Sequence, residues 1–439
     1  MRIPCVKHVV RAALLALLVV STATAEAWSA TWVGATNLSQ SAPILQQDNV
    51  DIAIGTAGVV VAWAKGSPDY GMALSKKSDG TWTTSYVSPQ VIGQMAWSPS
   101  VVYSGSQLSA VWAEGTSRGN CTTKHKVRQY DQGGGTRTIL DNLYSPATAP
   151  DLAVGTSGWH LVFAAASSAS DCTSSRVDLY YTYRPSLAQA WSAPVPIVTH
   201  NAVLAPGAVG GGVWYPRVAT LGTKVYVVWE QLQQYATAVD SDVWYVVGTM
   251  QTGGPVWSAP VRLSPAEQQD AVRPNVAVGA DGKVHVVWTN LVGSRSQPQA
   301  QYVYYRQFAS STVVPLNPAP IWVTGNFPTL AASSVSVSGQ QVCVSWHGYT
   351  DAVGSGREEI TTRCSLNGGA SWQSPVNVSD SMTWLSIFPS TAIGSDGLLH
   401  FAWVEYQLVN NVTLPLAVFY RDSQEPDTQV FLPLVMRLR

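Results

Sequence analysis

A seven-bladed, all-β propeller is the fold this sequence predicts, and three observations carry it. Strand-like runs with period-two alternation recur along the chain, most cleanly in residues 257–288, WSAPVRLSPAEQQDAVRPNVAVGADGKVHVVW. There PNVAVG and KVHVVW are two strands joined by the Gly/Asp-rich turn GADG. Seven strand pairs of this kind can be aligned, four of them through a Gly-x-x-Gly turn: GTAG, GTSG, GADG and GSDG. A third strand follows each pair and a fourth follows several, so one four-stranded unit recurs at roughly 50 to 60 residues. Such a sheet cannot bury both faces alone. A ring of seven buries them against one another and leaves only short edges.

Taken in order, the chain opens with Lys7 and Arg11 beside an apolar run over residues 12–20, too short to span a bilayer. Ala23-Thr24-Ala25 fits a small-residue cleavage site, so residues 1–25 read as a secretory signal peptide and the mature chain as exported. Residues 31–39, TWVGATNLS, have the form of a fourth strand, with Trp32 six positions before Leu38-Ser39, yet they precede the first unit. The last unit lacks a clear fourth strand. The segment is therefore expected to pair near residues 416–421, complete that blade and join the two ends of the ring.

The first strand of each blade starts near a proline and carries a polar residue next. These starts are Val50-Asp51, Pro99-Ser100, Pro150-Asp151, Pro216-Arg217, Pro274-Asn275, Pro328-Thr329 and Pro389-Ser390. The second strand ends on an aromatic: Trp63, Trp112, Phe163, Trp229, Trp288, Trp346 or Trp403. We assign these to the packing between blades rather than to a sugar platform. The third strands are GMALSKK, HKVRQYD, DLYYTYR, DVWYVVG, QYVYYRQF, EITTRCS and LAVFYRD. In the clearest fourth strands a Trp stands six residues before an aliphatic: Trp191/Ile197, Trp257/Leu263 and Trp372/Val378. The propeller should thus occupy residues 31–423. The remainder, ending FLPLVMRLR, reads either as a sorting segment or as a frayed terminus.

Composition fits a neutral exported β protein. Hydrophobic residues make up 46% and charged residues 12%, against a usual charged share of roughly 25%. A net charge of -1 gives no attraction to nucleic acid or to an anionic membrane. No segment beyond the signal is long and apolar enough to cross a bilayer. A monomer is expected.

Once the signal is removed, four cysteines remain. Cys121 and Cys172 occupy matching places before the third strands of adjacent blades, and Cys343 and Cys364 lie on neighbouring strands of one blade. An even count in an exported chain favours these two disulfides over a metal site, since no CxxC or paired-His spacing accompanies them. There is no Gly-rich phosphate loop, HExxH or GxSxG. Asp240-Ser241-Asp242 reads as a solvated loop before it reads as a calcium site. Neither a cofactor nor a metal is expected.

One motif points to a family. Residues 365–372, SLNGGASW, follow the Asp-box pattern Ser-x-Asp-x-Gly-x-Thr-Trp, with Asn367 for Asp and Ser371 for Thr. Ser75 to Trp82 is a degraded copy with Lys77 in the acidic position. With the repeat, the chain resembles the sialidase superfamily of propellers over nearly all its mature length. The resemblance implies that Ser365, Asn367, Gly369 and Trp372 are structural, capping the turn between third and fourth strands.

Propeller topology separates the short first turns and the box turns from an opposite face. That face carries the inner-strand starts and the long segments between second and third strands, over residues 113–124, 164–176, 230–241, 289–298 and 347–357. Long polar loops on a rigid scaffold are the expected functional elements. Candidate ligand-binding residues there are Asp51, Asp151, Arg217, Arg273, Asn275, Glu230, His347, Arg357 and Glu405. Solvation of a wet channel accounts for the polar ring equally well.

The resemblance also implies a test of activity. Sialidases hold the substrate carboxylate with three arginines, since planar Arg matches it with two parallel hydrogen bonds. They add a Tyr–Glu nucleophile and an acid/base Asp, and they carry Phe-Arg-Ile-Pro at the first inner strand. Here that strand reads DNVDIAIG, without arginine. Only Arg217 and Arg273 are placed by the repeat, Arg357 lies in a long loop, and Glu405-Tyr406 is a nucleophile pair on paper alone. No catalytic set can be assigned. The leading reading is therefore non-catalytic binding of a glycan or a cell-surface protein. The rivals are an exo-acting glycoside hydrolase of the exo-α-sialidase type and a structural scaffold.

Overall fold

The computed structural model describes residues 31–32, 34–39, 50–66, 71–88, 93–118, 120–145, 148–204, 207–236, 239–265, 270–294, 297–308, 314–316, 321–322, 332–349, 358–381, 385–409 and 412–424. The predicted signal, Thr329, Arg357 and the tail from residue 425 lie outside them.

The chain forms seven antiparallel sheets, one per blade, each built from consecutive strands. The innermost strands of blades 1 to 7 are Val50–Gly55, Met95–Ser104, Asp151–Gly155, Gly210–Leu221, Ala271–Val278, Ser333–Ser338 and Leu385–Ile393. The N-terminal pieces Thr31–Trp32 and Thr36–Asn37 pair with the outermost strand of blade 7, Val412–Gln424. The register is Thr31 to Gln424, Trp32 to Ser423, Thr36 to Tyr420 and Asn37 to Phe419.

The seven second-strand aromatics are all buried, none more than 3% exposed, and occupy the cores between blades. The aliphatic-Ser ending of the fourth strands also has a physical role. Leu38, Val87, Leu263 and Val378 donate their amides to the third strand, to Val418, Met72, Val243 and Ile360. The serines that follow, Ser39, Ser88, Ser264 and Ser379, accept the third-strand amides in return. A short outer strand cannot complete its ladder, and the hydroxyl supplies the missing acceptor.

A second device spans the blades. In blades 3, 5 and 7 a buried histidine of the second strand bonds a third-strand tyrosine. His160 and Tyr181, His285 and Tyr305, and His400 and Tyr420 are each 2.7 Å apart. A fourth-strand Trp of the next blade then packs edge-on against each tyrosine: Trp257, Trp372 and Trp82. In blade 6 the position of the histidine is taken by Cys343, bonded to Cys364 with the Cα atoms 4.1 Å apart. The second disulfide, Cys121–Cys172, spans 5.5 Å between Cα atoms. Cys172 sits on the helix Ala169–Thr173, so the bond ties a blade-3 loop to a blade-2 loop.

The turn at residues 365–372 is held locally. Ser365 Oγ accepts the amide of Gly369 at 2.8 Å, and Asn367 Oδ1 accepts that of Ser371 at 2.8 Å. Gly369 has φ 89°, and a Cβ there would meet the Tyr305 hydroxyl at 2.0 Å. Only glycine fits both demands.

Burial makes these histidines acid-sensitive. It lowers His160 and His285 from 6.5 to about 4, and lowers His400 as well. The unfolded chain therefore takes up these protons first, and stability falls as pH drops from about 6.5 toward 4. Asp51 acts in the opposite sense. Burial raises its carboxyl to about 6, so it adds stability as pH falls through that value. The test is therefore a difference between proteins. Between pH 7 and 4.5, His285→Gln should lose about 2–3 kcal/mol less than the parent in denaturant titrations. Parallel profiles would show that His285 does not carry this sensitivity.

Three expectations need correction. The inner strand of blade 6 begins at Ser333, and Ser334 rather than Thr329 matches Asp51 in register, since Asp51 pairs with Ala62 and Ser334 with Ser345, one before each blade's Trp. Residues 230–241 and 289–298 are largely not loops. Strands Lys224–Gln234 and Val239–Gln251 continue as a hairpin, as do Val284–Ser294 and Gln297–Gln307. Alternation runs on through both segments, so backbone pairing satisfies polar groups that a loop would leave to water.

Candidate functional site

Residues of all seven inner strands line a central cavity of about 200 Å³, among them Asp51, Ser100, Asp151, Arg217, Asn275, Ser334 and Ser390. The polar ring stitches the blades together. Each acceptor takes the amide one position further along the next blade's inner strand. Asp51 Oδ2 accepts from Val101 at 2.8 Å, Ser100 Oγ from Leu152 at 3.0 Å and Asp151 Oδ2 from Val218 at 2.7 Å. Ser334 Oγ accepts from Thr391 at 3.1 Å and Ser390 Oγ from Ile52 at 3.3 Å. Inner strands do not pair with one another, so these side chains meet amides that would otherwise face only the channel. Burial raises the Asp151 carboxyl despite Arg217, whose Nη1 lies 3.8 Å from Asp151 Oδ1.

Above this ring lies a second tier. Ser98, Tyr215, Arg273 and Phe388 have φ of 48°, 46°, 50° and 55°, and each immediately precedes a proline. A left-handed conformation costs a non-glycine residue about 1–3 kcal/mol, and such strain concentrates at functional sites. Here it marks a recurring β-bulge. In blades 2, 4, 5 and 7 the register shifts, so that two inner-strand residues oppose one buried Trp. The bulge bends the strand and re-aims the side chain before the proline.

The neighbouring blade holds two of these bulges. Glu230 Oε2 accepts the Arg273 amide at 3.0 Å, and His347 Nδ1 accepts the Phe388 amide at 3.3 Å. Glu230 and His347 each directly follow their blade's Trp. Both are buried.

The tier converges on Arg273. Its guanidinium carbon lies 5.4 Å from the Tyr215 ring centre and 5.3 Å from that of Phe388. His347 meets Phe388 edge-on at 5.3 Å, and Trp214 lies beside Tyr215. One arginine from blade 5 is thus flanked by aromatic rings of blades 4 and 7. Each cation–π contact is worth about 0.5–2 kcal/mol and fixes the plane of the fork. Tyr215 and Arg273 are half-buried and Phe388 is buried.

The site candidates therefore separate. Asp51, Asp151, Arg217 and Asn275 line the channel, and Arg273 stands in the upper tier. Glu405 is buried and accepts Trp403 Nε1 at 3.0 Å, and burial raises its carboxyl. Tyr406 is only 1% exposed. Sequence reasoning placed Tyr215 near the rim but missed Phe388, although the signal was present, since Phe388 stands before an inner-strand proline as Arg273 does. Asp240 and Asp242 cap neighbouring groups. Asp240 Oδ1 accepts the amides of Ser241 and Asp270, and Asp242 pairs with Arg262 at 2.5 Å. Among the described residues no helix is long and apolar enough to cross a membrane.

No protein-family model matches the chain, and no curated protein matches it. Solved structures do. A PL25 polysaccharide lyase, an ulvan lyase bound to -[GlcA(1-4)Rha3S]-, superposes with a TM-score of 0.57 at 10% identity, over 88% of this chain and 95% of that one. The polysaccharide lyase Uly1 gives 0.54 at 9% identity, over 89% and 99%. A Trypanosoma rangeli sialidase gives 0.43 at 11% identity, over 90% of this chain and 59% of its own. At such identities the likeness to the two lyases establishes the architecture these chains have in common, a seven-bladed propeller.

Proposed function

We propose that this chain is an exported propeller that binds an anionic glycan at the mouth of its channel, without hydrolysing it. The observation that carries the reading is Arg273 held between Tyr215 and Phe388 on strained bulges. A pre-oriented guanidinium suits a carboxylate or sulfate, and the half-buried Tyr215 ring beside it suits the C–H surface of a sugar, with the buried Phe388 holding the guanidinium from the other side. Arg217 sits below as a second cation, although Asp151 beside it offsets its charge. Structural neighbours that act on glycans fit this reading.

The hydrolase alternative has less support. Tyr406 and Glu405 are buried, and the Glu405 carboxylate already accepts an indole N–H, so neither is poised as a nucleophile or its base. No turnover of a fluorogenic sialoside is expected. In calorimetry against uronate oligosaccharides, Arg273→Ala should weaken binding about 10- to 100-fold, the usual worth of a charged hydrogen bond. Arg273→Lys should recover little of the loss, because an ammonium lacks the fork. Affinity should fall as salt rises. Equal affinity in Arg273→Ala, or sialoside cleavage that this variant abolishes, would overturn the reading.

A further inference from the structure

A second cavity, of about 500 Å³, opens beside blade 4. It lies between residues 202–204, which lead into that blade, and the mouth-face ends of the blade's own strands. Trp244, Asp242, Arg262, Gln233, Leu204 and Ala259 line it. Its size is that of a small-ligand site.

Its chemistry is mixed in a particular way. Trp244 is half-buried and offers an indole surface. Asp242 and Arg262 form an ion pair at 2.5 Å, and Ser264 Oγ donates to the same Asp242 oxygen at 3.0 Å. Arg262 keeps 31% of its side chain exposed while Asp242 keeps 7%. Gln233 is anchored by donating to Val203 O at 3.0 Å. An aromatic face beside fixed planar polar groups is what a sugar ring requires. Its C–H face packs on the indole, and its vicinal hydroxyls bond a carboxylate, a guanidinium or an amide.

The cavity is joined to the channel mouth by a continuous line of contacts. Arg273 donates its amide to Glu230, and Ser241 Oγ donates to the other Glu230 oxygen at 3.2 Å. Asp242 is the next residue, and its partner Arg262 belongs to the outermost strand of the blade. That path crosses blade 4 from its second strand to its fourth, roughly 10 Å at about 4.8 Å per strand. Glu230, Asp242 and Arg262 all lie toward the strand ends on the mouth face.

We infer that the blade-4 cavity is an outlying subsite for a neutral or anionic sugar unit, and that the ligand of the mouth is a polysaccharide chain lying radially across blade 4. This rests on the proposed reading of the mouth as a glycan site. A chain that engages both sites gains affinity by linkage, without a stronger contact at either.

The experiment titrates the intact protein with alginate-derived and heparin-derived di-, tetra- and octasaccharides by calorimetry. The octasaccharide should bind about tenfold or more tightly than the disaccharide. Trp244→Ala should remove most of that gain while leaving disaccharide affinity within about twofold. Trp244 also packs on the blade core, so a second variant, Ala259→Trp, fills the cavity from an exposed position without removing core atoms. It should likewise flatten the length dependence. Arg273→Ala should weaken all lengths together. Undiminished length dependence in Ala259→Trp would sink the outlying subsite and leave the mouth reading standing. Failure of every fragment to bind the parent protein would overturn both.

Discussion

Removing residues 31–39 should destabilise the propeller by several kcal/mol and lower its melting temperature by on the order of 10 °C. The segment contributes four backbone-paired positions to the outermost strand of blade 7. The amide of Leu38 adds a bond to Val418 O at 2.8 Å, and the Val418 amide returns to Ser39 Oγ at 3.2 Å. Leu38 is only 3% exposed, in a core shared with Ile52 and Trp63 of blade 1 and Tyr420 of blade 7. Trp32 packs edge-on against Phe401 with centroids 5.5 Å apart.

Burial of Leu38 alone is worth about 2 kcal/mol, and the hydrogen bonds add about 1 kcal/mol each. Deletion also bares a long outer strand at the ring junction, an invitation to edge-to-edge association. Thermal melts and sedimentation of the shortened chain test both effects. Leu38→Ala should reproduce about 2–4 kcal/mol of the loss by leaving a cavity. An added peptide of residues 31–39 should restore part of the stability by strand addition. A shortened chain that melts with the parent would show that the pairing adds nothing to the ring.

What the sequence made legible follows from which features repeat. The second-strand aromatics, the Gly-x-x-Gly turns and the aliphatic-Ser endings each recur with one fixed physical duty, so blade number and strand order could be read directly. Blade 6 slipped because Pro328-Thr329 imitates the start of an inner strand, whereas register depends on the Trp346 pairing, which is non-local. The site was harder for a related reason. Arg217 and Arg273 look alike as arginines beside an inner-strand proline. One follows its proline and lines the channel, while the other precedes it and is re-aimed by a bulge to lie against the Tyr215 and Phe388 rings. A bulge is a property of two strands, so a single run of residues conceals it. Glu230 and His347 were read as rim groups, but their acceptors are bound to the amides that the bulges free. Arg184 gave no signal at all, because its partner lies in another blade, 53 residues away in sequence.

That partnership carries the last large effect. Asp131→Ala should destabilise the protein by about 3–5 kcal/mol, well beyond the cost of removing its partner's charge by Arg184→Met, about 1–2 kcal/mol. Arg184 is fully buried and grips Asp131 with two bonds, of 3.0 and 2.8 Å, between blades 2 and 3. Its other neighbours are the rings of Trp159 and Trp191, at 5.3 and 5.0 Å. Without Asp131 the guanidinium has two aromatic faces and no counter-charge, and it cannot reach water.

Asp131 is better insured. Ser109 Oγ and Gln129 Nε2 donate to its Oδ1 at 2.7 and 3.0 Å, and Arg137, whose side chain is 48% exposed, donates to Oδ2 at 2.8 Å. If Arg184 becomes methionine, the carboxylate keeps three donors, and the thioether fills much of the slot between the tryptophans. If Asp131 is lost, Arg137 turns to solvent at little cost, but Arg184 remains stranded. The double change Asp131→Leu with Arg184→Met should recover to within about 1 kcal/mol of the parent, since an apolar pair of similar volume replaces a buried ion pair nearly neutrally. Denaturant titrations of the four proteins close the cycle. Equal losses in the two single variants, or a double variant no better than Asp131→Ala, would mean that packing against Trp159 and Trp191, rather than the stranded charge, sets the energy of this junction.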